Sequence, residues 1–408
     1  MYELLNGSSD QISMEELSLL TKDVVEKFVE KYGYPLYIYD AKNINQKIND
    51  IKSCFAEYNL IYSVKANPFE SIMRLMLDRD VGVDAASKNE VLIPSDIGFN
   101  SDNIYYSSPG KSFFDIEKTI TKCTIIADSF YEIEKINQVA NKIGIVSPIG
   151  VRLNICNELI LKSKYEIMCG KTSKFGIDLD LFLKNINKLN AYKNINIAGI
   201  HVYFGSQILD ETIISNNFKI TAETCLMLKD CFDIAFVNFG GGFGIPYKDD
   251  EEPLDLLKIQ SLNSQSKSIK ELLSSNIKCN IELGRYLVAE CGLYITKVED
   301  IKESFGEKYA ILQGGMNSFF RPVFTKQNHN IVQYTIRKQK EIINIVGNLC
   351  TPIDEYFNKT SLNELAIGDI VSFENAGAYG YSMSLLEFIS YDKPVQIIYG
   401  GEINDRNR

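Results

Sequence analysis

The sequence predicts an α/β protein, a (β/α)8 TIM barrel followed by a second, smaller β-sandwich or β-barrel domain. Two patterns carry that expectation. Between residues 36 and 285, short apolar runs of strand length alternate with amphipathic stretches of helical spacing, the rhythm of parallel strands joined by crossover helices. Each run ends in glycine or in polar side chains, which a closed barrel would collect at one mouth; this favours the barrel over an open doubly wound sheet.

Taken in order, residues 10–33 set Leu17, Leu20, Val24, Val25, Phe28 and Val29 at helical spacing, with Gly33 as a stop signal. One or two amphipathic helices are expected there, in an N-terminal segment, 1–35, that packs on the β domain. The barrel is expected over 36–285, its strands at 36–39, 60–64, 81–85, 104–106, 124–127, 149–153, 197–202, 234–239 and 279–283. Over 286–408 the texture changes to runs at 294–298, 310–312, 342–346, 370–373 and 395–399 with turn-rich links, which reads as a β domain. Residues 404–408 are expected to fray.

Composition narrows the function classes. At 408 residues the chain can bury a sizeable core, and its 45% apolar and 24% charged residues are ordinary for a globular protein. A net charge of −10 argues against nucleic acid or an acidic membrane as partner, since both require a basic face. The nine cysteines include no CxxC pair, so neither zinc nor a disulfide framework is indicated, and a reducing cytoplasm is expected. Two histidines exclude a multi-histidine metal centre. The first residues, Met1-Tyr2-Glu3-Leu4-Leu5-Asn6, show no basic or apolar leader pattern, and no apolar run reaches membrane length.

The chemistry centres on Tyr62-Ser63-Val64-Lys65-Ala66-Asn67-Pro68. A buried strand there delivers Lys65 into a turn of small residues, and a poorly solvated amine can attack an aldehyde; a surface lysine beside a turn is the alternative. Asn238-Phe239-Gly240-Gly241-Gly242-Phe243-Gly244 follows another strand, and its glycines let backbone N–H groups approach a compact phosphate, unless they are simply a loop. Gly199-Ile200-His201-Val202-Tyr203-Phe204-Gly205-Ser206-Gln207 offers a planar ring, His201, and a hydroxyl, Ser206, against a core histidine as alternative.

Glu282, in Ile281-Glu282-Leu283-Gly284-Arg285, could keep a pyridine nitrogen protonated, or pair with Arg285. Asp84 and Glu90, in the segment from Asp84 to Glu90, could anchor the lysine turn, and Asp84 or Ser87 could equally cap a helix. Arg152 and Lys174 read as charges around the site or as rim ion pairs. In the β domain the candidates are Arg321 as a carboxylate clamp, Cys350 as a reactive thiol or a small hydrophobe, Asp354, and Tyr379 as a hydroxyl donor or a packing residue.

Together these stretches resemble the fold-type III pyridoxal-phosphate decarboxylases, the group of diaminopimelate, ornithine and arginine decarboxylases, related to alanine racemase. The resemblance runs from about residue 35 to residue 400 in the right order. It implies an alanine racemase-like barrel with a β domain, pyridoxal 5'-phosphate as cofactor, an amino-acid substrate and a head-to-tail homodimer with shared active sites. Position by position, Lys65 matches the lysine that forms the Schiff base, His201 the ring-stacking histidine and Glu282 the partner of the pyridine nitrogen. Ser206, Gly240, Gly241, Gly242, Gly284, Arg285 and Tyr379 match the phosphate-binding positions; Asp84 and Arg152 fall among the cofactor contacts. Cys350 matches a cysteine that acts from the second subunit, while Arg321 and Asp354 fall on the substrate side.

The departures bear on the substrate. Where diaminopimelate decarboxylases carry Cys-Glu-Ser-Gly-Asp, this chain has Cys350-Thr351-Pro352-Ile353-Asp354, so the glutamate that grips the distal end of the substrate is missing. Their Glu-Pro-Gly-Arg is Glu282-Leu283-Gly284-Arg285, and Gln313 replaces the Asp before Gly-Gly. The resemblance therefore points to removal of an α-carboxylate from an amino acid or amino-acid conjugate, such as a citryl-diamino acid of siderophore synthesis or a carrier-tethered glutamyl group. The alternatives are meso-diaminopimelate decarboxylation, a racemase on the same scaffold, a phosphate-binding barrel enzyme without pyridoxal, and a catalytically inactive regulatory homologue.

Overall fold

The structure, a computed structural model, describes residues 20–248, 250–326 and 329–400. Leu17 and the rest of the expected helical stretch before residue 20 lie outside these residues, as does the tail at 404–408. The chain divides into two units. One comprises Gln46–Pro246 and Glu251–Leu287; the other comprises the described residues of 1–45, 247–250 and 288–408.

The first unit is a closed barrel of eight parallel strands: β1 (Asn59–Ser63), β2 (Gly82–Ala85), β3 (Ile104–Ser107), β4 (Thr124–Ala127), β5 (Ser147–Asn154), β6 (Ile195–His201), β7 (Phe236–Gly241) and β8 (Lys278–Leu283). Each pairs in parallel with the next, and β8 closes on β1. Local signals stop and start the intervening helices. Ser87, Ser112, Ser129, Asp210, Asp255 and Ser266 each accept a hydrogen bond from a first-turn amide, and Gly98 and Gly144 end two helices in the left-handed conformation.

The barrel interior is packed around Phe236. This ring clusters with Ile61, Tyr105, Ile126 and Ala198. A Cβ added to Gly199, its neighbour in register, would lie 2.3 Å from the ring, and one on Gly150 would lie 2.9 Å away. Two glycines on adjoining strands therefore make the room that one phenylalanine fills.

The second unit corrects one expectation. The run at 36–39, expected among the barrel strands, is the strand Leu36–Asp40 of this unit, which pairs antiparallel with Gly292–Ser304 and parallel with Val395–Tyr399. Its four leading residues are all buried, so its near-continuous apolar run fits either sheet, and the run alone does not say which. In the rest of this mixed sheet Ile331–Gln333, Ile370–Phe373, Gly292–Ser304, Glu307–Leu312, Lys340–Val346 and Glu355–Asn363 lie side by side in that order. The long Gly292–Ser304 strand pairs with Ile370–Phe373 along one half and with Glu307–Leu312 along the other. The helix Lys22–Tyr32 lays Val25, Phe28 and Val29 on Leu36, Ile38, Ile295 and Ile397, as the i, i+3, i+4 spacing expects.

Candidate active site

At the C-terminal end of β1 the chain passes into a single 3-10 turn, Val64–Ala66, which carries Lys65 to the mouth. Tyr62 pins that turn by donating its hydroxyl to the Asn67 carbonyl at 2.8 Å, and Asn67 Oδ1 accepts the Phe69 amide at 3.1 Å. The strands on either side of β1 each contribute one carboxylate. Lys65 Nζ lies 2.9 Å from Asp84 Oδ2 on β2 and 3.4 Å from Glu282 Oε1 on β8. Both acids are buried, while the lysine side chain keeps 37% exposure toward the mouth.

Other interior side chains saturate the two carboxylates. Ser107, on β3, donates a short hydrogen bond to Asp84 Oδ1. Ser63 donates to Glu282 Oε1 at 3.2 Å, and the Asn238 amide donates to Glu282 Oε2 at 3.4 Å. His201 Nε2 lies 3.2 Å from the same Oε2 but out of line, so neither of its buried ring nitrogens has a hydrogen-bond partner. Burial, and then the neighbouring charge of Glu282, raise the Asp84 carboxyl above its ordinary range. Burial acts on Glu282 in the same sense, but the Lys65 ammonium, and after it the neighbouring His201, override it and hold Glu282 well below the usual carboxylate range. Of the pair, Glu282 is therefore the stronger acid.

Around this centre, Arg152 on β5 lies over the rings of Phe175, at 4.6 Å, and Tyr203, at 5.9 Å, with Asp128 Oδ1 at 3.8 Å. Lys65 approaches the same Tyr203 ring at 5.9 Å. Lys174 sits over Phe175 at 5.1 Å. The helix after β2 is capped by Ser87, which settles the choice left open between it and Asp84, and Glu90 accepts the Ala86 amide at 2.7 Å to fix the intervening turn.

The glycine run has a local reason to lack side chains. Gly240 and Gly242 have φ of +64° and +80°, and a Cβ on Gly241 would lie 1.8 Å from the Glu282 carbonyl oxygen. A Cβ on Gly242 would lie 2.2 Å from the carbonyl oxygen of Gly205, which sets Ser206 beside the run. Gly284 abuts Ser63 and Ala66, next to the lysine turn, and Arg285 opens the short helix Arg285–Val288.

The other unit carries Arg321, Cys350, Asp354 and Tyr379. The buried Arg321 guanidinium lies between the rings of Tyr247, at 5.5 Å, and Tyr379, at 5.4 Å. Tyr379 itself adopts φ +60°, a left-handed conformation uncommon for a bulky residue. Cys350 is exposed. Asp354 is placed differently from its expected role on the substrate: its carboxylate accepts the amides of Met316, at 2.6 Å, and Leu349, at 2.9 Å. It braces the turn that carries Cys350, because a buried carboxylate needs such donors.

Sequence reading missed Ser63, Ser107, Asn238 and Tyr203. The signal was available in the alternation of the strands, since counting back by two from Lys65 and Gly240 puts Ser63 and Asn238 on the interior face. Among the described residues no cluster of side chains could hold a metal ion, and no helix is long and apolar enough to cross a membrane.

A buried imidazole beside an anionic carboxylate, with an amine at the rim, fits a flat ring that bears a basic nitrogen and a reactive carbonyl. Such a mouth defines a barrel enzyme organised around a carbonyl cofactor. The family model described as the pyridoxal binding domain of pyridoxal-dependent decarboxylases matches residues 41–289, and the chain belongs to that family. The cofactor is pyridoxal phosphate, and the protein is a carboxy-lyase.

Similarity extends along the whole chain. A crystal structure of diaminopimelate decarboxylase from Helicobacter pylori complexed with L-lysine superposes with a TM-score of 0.84 at 27% identity, covering 93% of this chain and 94% of that one. The L-glutamyl-[BtrI acyl-carrier protein] decarboxylase of Niallia circulans is 29% identical over 402 residues, 95% of this chain and 92% of its own length. The 2-[(L-alanin-3-ylcarbamoyl)methyl]-2-hydroxybutanedioate decarboxylase of Staphylococcus aureus is 28% identical over 399 residues, 93% and 98% of the two chains.

Proposed function

We propose that this decarboxylase removes the α-carboxylate of an amino-acid conjugate, in which the amino acid is joined to an acidic group such as citrate or tethered to a carrier. The observation that carries the substrate class is the segment Cys350-Thr351-Pro352-Ile353-Asp354, which has no acidic side chain free for a distal ammonium, its one carboxylate being held by two backbone amides. Two relatives of full-length similarity are named for conjugates of this kind. Free meso-diaminopimelate is the second reading, favoured by the equally complete match to diaminopimelate decarboxylase.

Pyridoxal phosphate supplies a carbonyl that accepts amines and a ring that draws electrons away from Cα. Lys65 is the amine that holds this carbonyl and later releases the product. Glu282 keeps a proton on the ring nitrogen, and His201 offers a flat face against the ring. Ser206, Gly240, Gly241, Gly242, Gly284 and Arg285 would hold the phosphate, with Asp84 and Arg152 beside the ring. Arg321 holds the substrate carboxylate. Cys350, from a second copy of the chain in a head-to-tail dimer, returns a proton to Cα. Phe324 and Ile353, exposed apolar side chains that line one cleft together with Pro352, support such a contact. All nine cysteines are free thiols, which supports a cytoplasmic location.

The test is a decarboxylation screen of the cofactor-loaded protein against citryl-diamino acid conjugates, carrier-linked glutamate, meso-diaminopimelate, ornithine and lysine. Release of carbon dioxide from a conjugate is expected, and turnover of meso-diaminopimelate alone would overturn the substrate class. Lys65→Ala is expected to abolish both turnover and the near-visible absorbance of the bound cofactor; an unchanged spectrum would remove Lys65 from its role.

A further inference from the structure

Strand β7 is interrupted where it matters for the site. Its register with β8 runs from Phe236 to Asn238 and resumes only at Gly241 opposite Glu282, so Phe239 and Gly240 form a bulge. A bulge takes an amide out of the ladder, and the Gly240 N–H is accepted by the side-chain oxygen of Asn238 at 2.9 Å. The other end of the same side chain donates to Glu282 Oε2 at 3.4 Å, a long bond to a charged acceptor. This chemistry fixes the orientation of the amide, since Glu282 can only accept and the Gly240 N–H can only donate. The Asn238 backbone carbonyl meanwhile accepts the amide of Val202, the residue after His201, at 3.1 Å. Asn238 is wholly buried.

We propose that Asn238 is a positioning residue for this reaction. It sets the Glu282 carboxylate and the glycine turn at a fixed separation, so that the ring nitrogen and the phosphate of one cofactor can be held at once. The inference rests on the roles proposed above for Glu282 and the glycines. Its two functions are separable, because an aspartate at 238 keeps the acceptor for Gly240 but sets a second carboxyl group against Glu282 in place of the amide donor, while a leucine loses both.

The experiment compares purified holoenzymes carrying Asn238→Asp, Asn238→Leu and Glu282→Gln with wild type. The readouts are the rate of cofactor loss on dialysis, the pH dependence of the bound cofactor's absorbance, kcat and KM, and the melting temperature. Asn238→Asp is expected to retain cofactor at the wild-type rate but to change the absorbance profile and lower kcat about tenfold at near-constant KM, the effect of a carboxyl group in place of the amide donor to Glu282. Asn238→Leu is expected to show the same loss of kcat and also to shed cofactor about tenfold faster. Wild-type spectra and kcat in both variants, or a lowered melting temperature as the sole change, would overturn the proposal, as would cofactor loss from Asn238→Asp as fast as from Asn238→Leu. A Glu282→Gln enzyme with wild-type spectrum and kcat would instead overturn the role of Glu282; a damaged one beside unaltered Asn238 variants overturns only that of Asn238.

Discussion

Lys65 lies against two buried carboxylates, Asp84 and Glu282, whose acidities are driven in opposite directions by who else touches each acid. Glu282 has the lysine, a serine and an asparagine as donors; Asp84 has the lysine and Ser107. The nine thiols are sorted by the same physics of burial. Cys123, Cys225 and Cys279 are pushed up to about 12 by burial, and Cys169 to about 11, whereas Cys156, Cys231 and Cys350 are exposed. At pH 8 a thiol reagent is expected to label Cys156, Cys231, Cys350 and the half-buried Cys54 rapidly, and the remaining five only after unfolding; rapid native labelling of Cys123 would contradict this. Lys65, His201 and Glu282 stood out as candidates in the sequence because each lies at the end of an apolar run that leads into a stretch with glycine or other small residues, and the structure places Glu282 against both of the others. Asn238 did not, because an asparagine before glycines reads as turn chemistry, and its link to Glu282 spans 44 residues of sequence.

At the scale of elements, the barrel interior couples β5, β6 and β7 through Phe236. Gly199→Ala would set a methyl group against that ring and is expected to cost about 1–3 kcal/mol, the usual range for overpacking. Adding Phe236→Leu should restore much of the loss if the clash is the cause. Chemical denaturation of the two single variants and the double variant measures the coupling, and simple additivity would show that the two sites do not communicate. The eight barrel strands were readable from apolar runs alone, since strands buried on both faces carry no polar alternation. Glu355–Asn363 was missed for the converse reason: it is mostly polar and half-exposed, and its place is fixed by pairing with Lys340–Val346 rather than by its own composition. The misassigned Leu36–Asp40 shows the same limit, because an apolar run announces a buried strand without naming its neighbours.

For the whole molecule, burial of acidic hydrogens predicts an alkaline limit. Buried thiols have an ordinary pKa of 9.0 and lie near 12 here, and Tyr105 rises from 10.0 to about 12 for the same reason. Between these values the unfolded chain has lost protons that the folded chain retains, so stability falls as pH rises. The melting temperature is expected to hold up to pH 9 and to decline steadily above it, the thiols contributing first and the tyrosines above pH 10. A melting temperature that rises between pH 9 and pH 11 would show that these groups ionise freely in the folded state. One pairing has a temporal consequence. Leu36–Asp40 and Val395–Tyr399 share a ladder of backbone bonds although the entire barrel separates them along the chain. On a ribosome the earlier strand must therefore emerge and wait, both flanks unsatisfied, until translation has passed every barrel strand and reached Gly292–Ser304, and one flank stays bare until Val395–Tyr399 follows, which makes its completion a late event and its bare edges a natural target for chaperones.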